Sequence, residues 1–462
     1  MFNKNSSVKS IFIVSVAFLV SSYEAAFAAS DTAIMQLVPV VADKQGPVLP
    51  IQHWQTQNGA SVYFVPEHQL PILDIEVLFN AGSAQEGANF GLANFTNSMI
   101  GQGARDLTAD QIANRFDSLG AQFAASSGRD MAQISLRSLT EPTVLDQSLQ
   151  TFTQVITQPN FATNSFGRVK NQLLQALLQE QQTPSDIADN AFYSAVYGNY
   201  PYGHSPLGTS AKIKRFTPNS LIAFYRKFYV GSNATVSIVG DISQEQAVNI
   251  AKQIVGGLPT GTSAPSLTNA TYAPKEKNIT IPYPSTQTFI RIGQLGISRT
   301  DPNYFPLYVG NYVLGGGVLV SRLFKEVRDQ RGLTYNVTSY FIPMKTDGPF
   351  IASLQSRTSK STEAIQVTQQ VIQSFIDKGP TQAELDAAKQ NIIGGFPLLL
   401  NSNAGIVDLV AMLGFYKLPL NYLDTYRTNI AAVTQSQIKE AFSKQLDPKN
   451  MVVVAVGANN GA

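Results

Sequence analysis

Apolar and polar positions along this chain fall into short alternating runs and longer helical stretches that begin near Gln52. Val62-Tyr63-Phe64-Val65 and Leu73-Asp74-Ile75-Glu76-Val77-Leu78-Phe79 read as β-strands, the second because Asp74 and Glu76 alternate with apolar neighbours. Helical spacing follows over 88–100, 108–119, 142–157, 163–182 and 184–197, and 234–239 reads as a further strand. The short turn between the first two strands favours antiparallel pairing of neighbours. Together with the helices it predicts an α+β fold, a mostly antiparallel sheet with helices packed on one face.

The pattern then recurs. Residues 217–240 (TPNSLIAFYRKFYVGSNATVSIVG) align without a gap to residues 434–457 (TQSQIKEAFSKQLDPKNMVVVAVG), with Thr217/Thr434, Lys227/Lys444, Asn233/Asn450, Val236/Val453, Val239/Val456 and Gly240/Gly457 identical. Both copies read as an amphipathic helix, a polar turn and an apolar strand ending in Gly. Between them, 258–277 is rich in Pro, Gly, Ser, Thr and Ala and has linker composition. A second unit reopens with a strand over 288–293 and has another from Tyr335. The expectation is two homologous domains, 51–257 and 278–462, preceded by an aperiodic N-terminal arm over 29–50.

The first 28 residues read as an export signal: Lys4 and Lys9 precede an apolar run over 11–20, and Ala26-Phe27-Ala28 forms an A-x-A cleavage site. That run is about half the roughly 20 residues a spanning helix needs, and no later stretch reaches that length, so a periplasmic protein without stable membrane insertion is expected. A formal net charge of +2 over 462 residues gives no basic surface for nucleic acid. The absence of Cys excludes disulfides, thiolate catalysis, Cys-ligated zinc, iron–sulfur clusters and a lipidated N-terminal Cys. Any His-based metal site must draw on His53, His68 and His204, and no two of them have metal-ligand spacing.

Two segments carry the chemistry. The first runs Phe79-Asn80-Ala81-Gly82-Ser83-Ala84-Gln85-Glu86 into Phe90-Gly91-Leu92-Ala93-Asn94-Phe95-Thr96-Asn97-Ser98-Met99. The second is Val313-Leu314-Gly315-Gly316-Gly317, then Ser321-Arg322-Leu323-Phe324-Lys325-Glu326-Val327-Arg328-Asp329-Gln330-Arg331-Gly332-Leu333-Thr334-Tyr335. In the second, Leu323, Phe324 and Val327 form one apolar helical face, and Gly332 is placed to stop the helix in the left-handed conformation. Arg328 then lies near the helix end and Tyr335 at the start of a strand. The three glycines are not followed by Gly-Lys-Ser/Thr, so they are no phosphate loop.

Both segments resemble the pitrilysin and mitochondrial processing peptidase family of zinc proteases, the inverzincins, and the resemblance runs from about Trp54 to Gly457. The family pattern after its AGS-x-x-E turn is G-L-A-H-x-x-E-H-M, where His at i and i+4 share a helical face and bind zinc and the Glu between them takes a proton from bound water. Here those positions are Asn94, Asn97 and Ser98. None of the three side chains is a competent zinc ligand or base. The family's third ligand, a Glu, falls near Leu174 to Ala176, and no carboxylate lies between Asp146 and Glu180.

The second segment keeps the family's L-G-G-G, S-R-L-F and R-x-x-x-G-L-x-Y. The resemblance implies that Arg328 and Tyr335 hold the substrate carbonyl opposite a metal, as two donors suited to a developing oxyanion. It therefore implies a non-catalytic subunit that binds no cofactor. Zinc would reside in a homologous H-x-x-E-H partner, and the two chains would close around unfolded peptides. The alternative is a structural or peptide-binding scaffold with no proteolytic role.

Overall fold

Strict alternation of apolar residues in the first half produces one sheet whose two faces have different partners. The computed structural model describes residues 48–274 and 277–457; the expected export signal over 1–28, the arm up to residue 47 and positions 275–276 of the linker lie outside the described residues. In chain order the strands are β1 (Gln52–Gln55), β2 (Ser61–Pro66), β3 (Ile72–Phe79), the short pair β4 (Gly103–Ala104) and β5 (Leu107–Thr108), β6 (Gln122–Ser127), β7 (Ala132–Leu139) and β8 (Ala234–Gly240). The helices are α1 (Leu92–Ser98), α2 (Ala109–Ser118), α3 (Pro142–Thr157), α4 (Thr163–Gln182), α5 (Pro184–Tyr197), α6 (Ser210–Arg215), α7 (Pro218–Phe228) and α8 (Gln244–Gly256). Their starts follow from local chemistry: Pro opens α3, α5 and α7, where its missing N–H costs nothing, and Thr108 with Gln111 and Ser243 with Gln246 close capping boxes on α2 and α8.

The six-stranded sheet has the order β1-β2-β8-β3-β7-β6. The expected direct pairing of β2 with β3 does not occur. Instead β8 enters between them, parallel to β2 and antiparallel to β3. Its residues are all buried, and a strand apolar on both faces is most stable in the middle of a covered sheet.

The second half repeats the plan with β9 (Asn278–Ile281), β10 (Gln287–Leu295), β11 (Thr334–Phe341), β12 (Pro349–Arg357) and β13 (Val452–Val456). The order is β9-β13-β10-β12-β11, with β9 parallel to β13 and every other pair antiparallel. Its helices are α9 (Tyr304–Asn311), α10 (Ser361–Lys378), α11 (Gln382–Gly395), α12 (Asn403–Phe415), α13 (Tyr422–Ala432) and α14 (Gln435–Gln445).

On one face of the first sheet Phe64, Ile75, Val77, Ile134, Val236 and Ile238 pack against that half's own helices, through Phe95, Phe152 and Leu221 among others. On the opposite face each sheet receives one helix from the other half. α12 crosses β8 and β3, and α5 crosses β13 and β10. Phe192, Tyr193 and Val196 of α5 meet Val452, Val454 and Val456, while Ala411 and Phe415 of α12 meet Leu78. Gly414 permits the approach of α12, because a Cβ there would fall 2.4 Å from the Tyr63 ring. Each fully buried large apolar side chain contributes about 1.5–3 kcal/mol, so the exchange of helices ties the halves into one folding unit.

Candidate functional site

The turn after β3 is organised by Glu86. Its Oε1 accepts from Gly91 N at 2.7 Å and its Oε2 from Ala93 N at 2.8 Å, supplying the N-terminus of α1 with the acceptors that Gly91 as N-cap cannot. Nε2 of His204 lies 2.8 Å from Glu86 Oε1, and the imidazole stacks on Phe90 with centroids 4.2 Å apart. Burial pushes the Glu86 carboxyl up, partly offset by its bonds from His204, Ala93 and Gly91. The other histidines are equally occupied: His53 packs on Tyr63 with ring centroids 4.5 Å apart, and His68 Nδ1 lies 2.7 Å from Asp241.

On α1 the three degenerate motif positions have separate fates. Asn97 is 1% exposed; its Nδ2 donates to Ser126 O at 2.5 Å and its Oδ1 accepts from the Tyr229 hydroxyl at 3.0 Å. It therefore ties α1 to β6 and to the segment after α7. Asn94 and Ser98 are half-buried. On α4, Leu174 packs against the first core while Gln175 and Ala176 are exposed. Neutral amides, a hydroxyl and an aliphatic side chain do not fit a zinc ion. Among the described residues no group of three or more His, Cys, Asp or Glu is placed to hold a metal.

The second half presents Arg328 and Tyr335 together. The expected α-helical turn is a π-helix over Phe324–Asp329, in which Gln330 N bonds Lys325 O at 3.0 Å; a second π-turn covers Tyr312–Gly316. The widened turn still buries Leu323, Phe324 and Val327. Gly332, at φ +58°, reverses the chain as the sequence predicts. Between Thr334 and Val337 the β11–β12 register shifts by a bulge, in which the Thr334 hydroxyl donates to Gln355 O at 2.7 Å. A bulge re-aims side chains, and Tyr335 is 88% exposed.

The Arg328 guanidinium lies 4.4 Å from the Phe324 ring centroid and 5.5 Å from that of Tyr335. Two nearby carboxylates are engaged by other arginines. Arg331 pairs with Glu326 at 2.8 Å, and Arg322 clamps Glu384 through two nitrogens at 2.8 and 2.6 Å. Arg328 thus has a hydrophobic cradle and no carboxylate within ion-pair distance among the described residues, which leaves its donors for a ligand. The pair stands on the second sheet and α1 on the first, so within this chain the donors and the altered motif are separate features.

Sequence reasoning located both segments. It missed the π-turns and the bulge, for which the glycine run at 315–317 is the one available hint. It also missed the structural employment of Asn97, whose partners lie at distant positions.

Two family models match the chain, and their boundary falls before α7 rather than at the linker. Residues 65–210 match the insulinase (peptidase family M16) family and residues 215–392 the peptidase M16 inactive domain. A Pseudomonas fluorescens structure described as a peptidase M16 inactive domain is 38% identical, covers 89% of this chain and 99% of its own, and superposes with a TM-score of 0.86. A Helicobacter pylori protein described as non-peptidase homolog YmxG is 26% identical over 87% of this chain and 93% of its own. An H. pylori structure described as a protease shares the fold at 18% identity and a TM-score of 0.79, over 88% of this chain and 99% of its own.

Proposed function

The chain belongs to peptidase family M16, and on that premise we propose that it is the metal-free subunit of an exported two-chain protease of this family. One observation carries the reading: an exposed Tyr335 on a bulge stands beside a half-buried Arg328 on a π-helix, while the zinc-motif positions are occupied by Asn94, Asn97 and Ser98. A chain that served only as a scaffold would have no need of an unpaired Arg beside an exposed Tyr.

In this reading a homologous H-x-x-E-H partner holds the zinc. This chain contributes half of the chamber wall, the Arg328 fork and the Tyr335 hydroxyl, both aimed at the oxygen of the peptide carbonyl under attack. Fixed donors that strengthen as negative charge develops lower the barrier without consuming a proton. The substrates are unfolded peptides, and the N-terminal 28 residues direct the chain to the periplasm.

The test is to combine the purified chain with a homologous H-x-x-E-H protein from the same organism and follow cleavage of an unfolded casein probe. The mixture is expected to cleave and each protein alone to be inactive or nearly so. A partner that cleaves equally well without this chain, or a mixture that forms a stable complex and never cleaves, moves the assignment to the scaffold reading.

A further inference from the structure

Two helices cross between the halves, and the charges beneath them differ. In the second sheet a cross-strand row runs Ile279, Val454, Arg291, Ser353. On it α5 lays Asp189, which takes Arg291 Nε at 2.6 Å and Nη2 at 3.0 Å in a two-pronged ion pair. Residues 217–240 align with 434–457, so Ser237 corresponds to Val454 and the matching row in the first sheet is Tyr63, Ser237, Glu76, Ser135. Asp408 is the sixth residue of α12, as Asp189 is of α5. Where one helix has an Arg–Asp pair beneath it, the other lies over Glu76, with Asp408 near enough for its charge to act on that carboxyl.

Among the described residues no cation forms an ion pair with Glu76 or Asp408, and Arg299, which reaches α12, lies on the Met412 sulfur. α12 carries no other charged residue, and neither β2 nor β8 has one. Tyr63 and its neighbour His53 face the far end of the helix, and Asp241, just past β8, is paired with His68. On β7, Arg137 makes its hydrogen bonds to Asp74, at 2.8 and 3.0 Å, and its charge offsets only part of the rise at Asp408. Glu76 is 2% exposed; its Oε1 accepts from the Gln133 amide, but its Oε2 has no hydrogen-bond partner, and neither has the buried hydroxyl of Ser237 beside it in the row. A carboxylate left in this way favours its neutral form.

We propose that α12 is a pH-responsive latch: protonation of the Glu76/Asp408 contact seats it on the first sheet, and loss of the proton loosens that attachment while α5 stays seated. With one of two crossing helices loosened, the halves can pivot about the other.

The direction follows from linkage. Burial first, and then the charge of Asp408, pushes Glu76 well above the usual carboxylate range. Asp408 sits at the solvent edge of the contact; desolvation on its sheet side and then the charge of Asp74 push it up to about 6, against a smaller lowering by Arg137. Both groups hold a proton more tightly when the helix is seated. The seating is therefore fully supported below about pH 4 and weakens as pH rises through about 6. The latch does not depend on the proposed function.

Hydrogen exchange of the full-length chain, corrected for the intrinsic rate at each pH, tests it. Protection of α12 amides is expected to fall at least about threefold between pH 5 and 8 while α5 amides hold constant. Glu76→Gln and Asp408→Asn should each flatten the α12 response, and Asp189→Asn should weaken α5 at every pH alike. A wild-type α12 profile parallel to that of α5 overturns the proposal. So does a pH response that survives in either first-sheet variant, and two variants guard against one that fails to fold.

Discussion

The Tyr229 hydroxyl donates to Oδ1 of Asn97 across 3.0 Å, at the position where the family pattern carries its general base. Asn97 also donates to Ser126 O, so a place that serves chemistry elsewhere in the family serves here to hold α1 against β6. Asn97→Ala strands both partners in a buried setting and should cost about 1–3 kcal/mol in chemical denaturation. Asn97→Glu sets an ionisable group against the Ser126 carbonyl and should cost at least as much, with the larger loss at neutral pH.

Rebuilding the family motif in α1 is expected to fail as a metal site. A chain carrying Asn94→His, Asn97→Glu and Ser98→His still has Leu174, Gln175 and Ala176 where a third ligand is needed, and two His with a Glu between them do not complete the tetrahedral set. Metal analysis after dialysis should find well under one zinc per chain. A stoichiometric and tightly held zinc would mean that another side chain completes the site.

Tyr335→Phe removes a hydroxyl from a side chain that is 88% exposed, so the melting transition should move by no more than about 0.5 kcal/mol equivalent. Turnover of the proposed two-chain complex should fall by about 10²–10³, the usual loss of one oxyanion donor, with complex assembly unchanged in gel filtration. Unchanged turnover would remove Tyr335 from the chemistry.

The Arg322 and Glu384 pair explains why the S-R-L-F segment keeps its Arg. Hydrogen bonds from Arg322 come first among the causes that hold the Glu384 carboxyl down to about 2, and Thr381 adds to them. A carboxyl lowered in the folded state stabilises above its ordinary value near 4.5 and loses that contribution as pH falls through about 2. The pair is partly solvated, so Arg322→Ala should cost about 1–2 kcal/mol at pH 7. The variant should also show a flatter loss of stability in acid, which urea denaturation between pH 2 and 6 reads directly.

Much of the fold is legible because it depends on local spacing. The helices over 142–157, 163–182 and 184–197 begin and end where periodicity, Pro142 and Pro184 place them. Tyr335 likewise follows Gly332 into a strand, as the left-handed stop predicts. The insertion of β8 between β2 and β3 was not legible, since hydrogen-bond partners on strands distant in sequence leave no mark on spacing. The same holds for the π-helix under Arg328, which differs from an α-helix by one residue in a turn and shares its apolar face.

What the sequence by itself determined is the inventory: the residues at 94, 97 and 98 that cannot bind zinc, the retained Arg328 and Tyr335, and two units built to one pattern. These depend on side-chain chemistry and short-range periodicity, both of which are written in order along the chain. Only the tertiary structure decided how the inventory is used. It turned Asn97 into a buried tie, left Arg328 without an ion partner among the described residues, and sent α5 and α12 across to opposite sheets, one onto Arg291 and the other onto Glu76. Burial and pairing are properties of what surrounds a side chain, and most of that surrounding comes from residues far away in sequence.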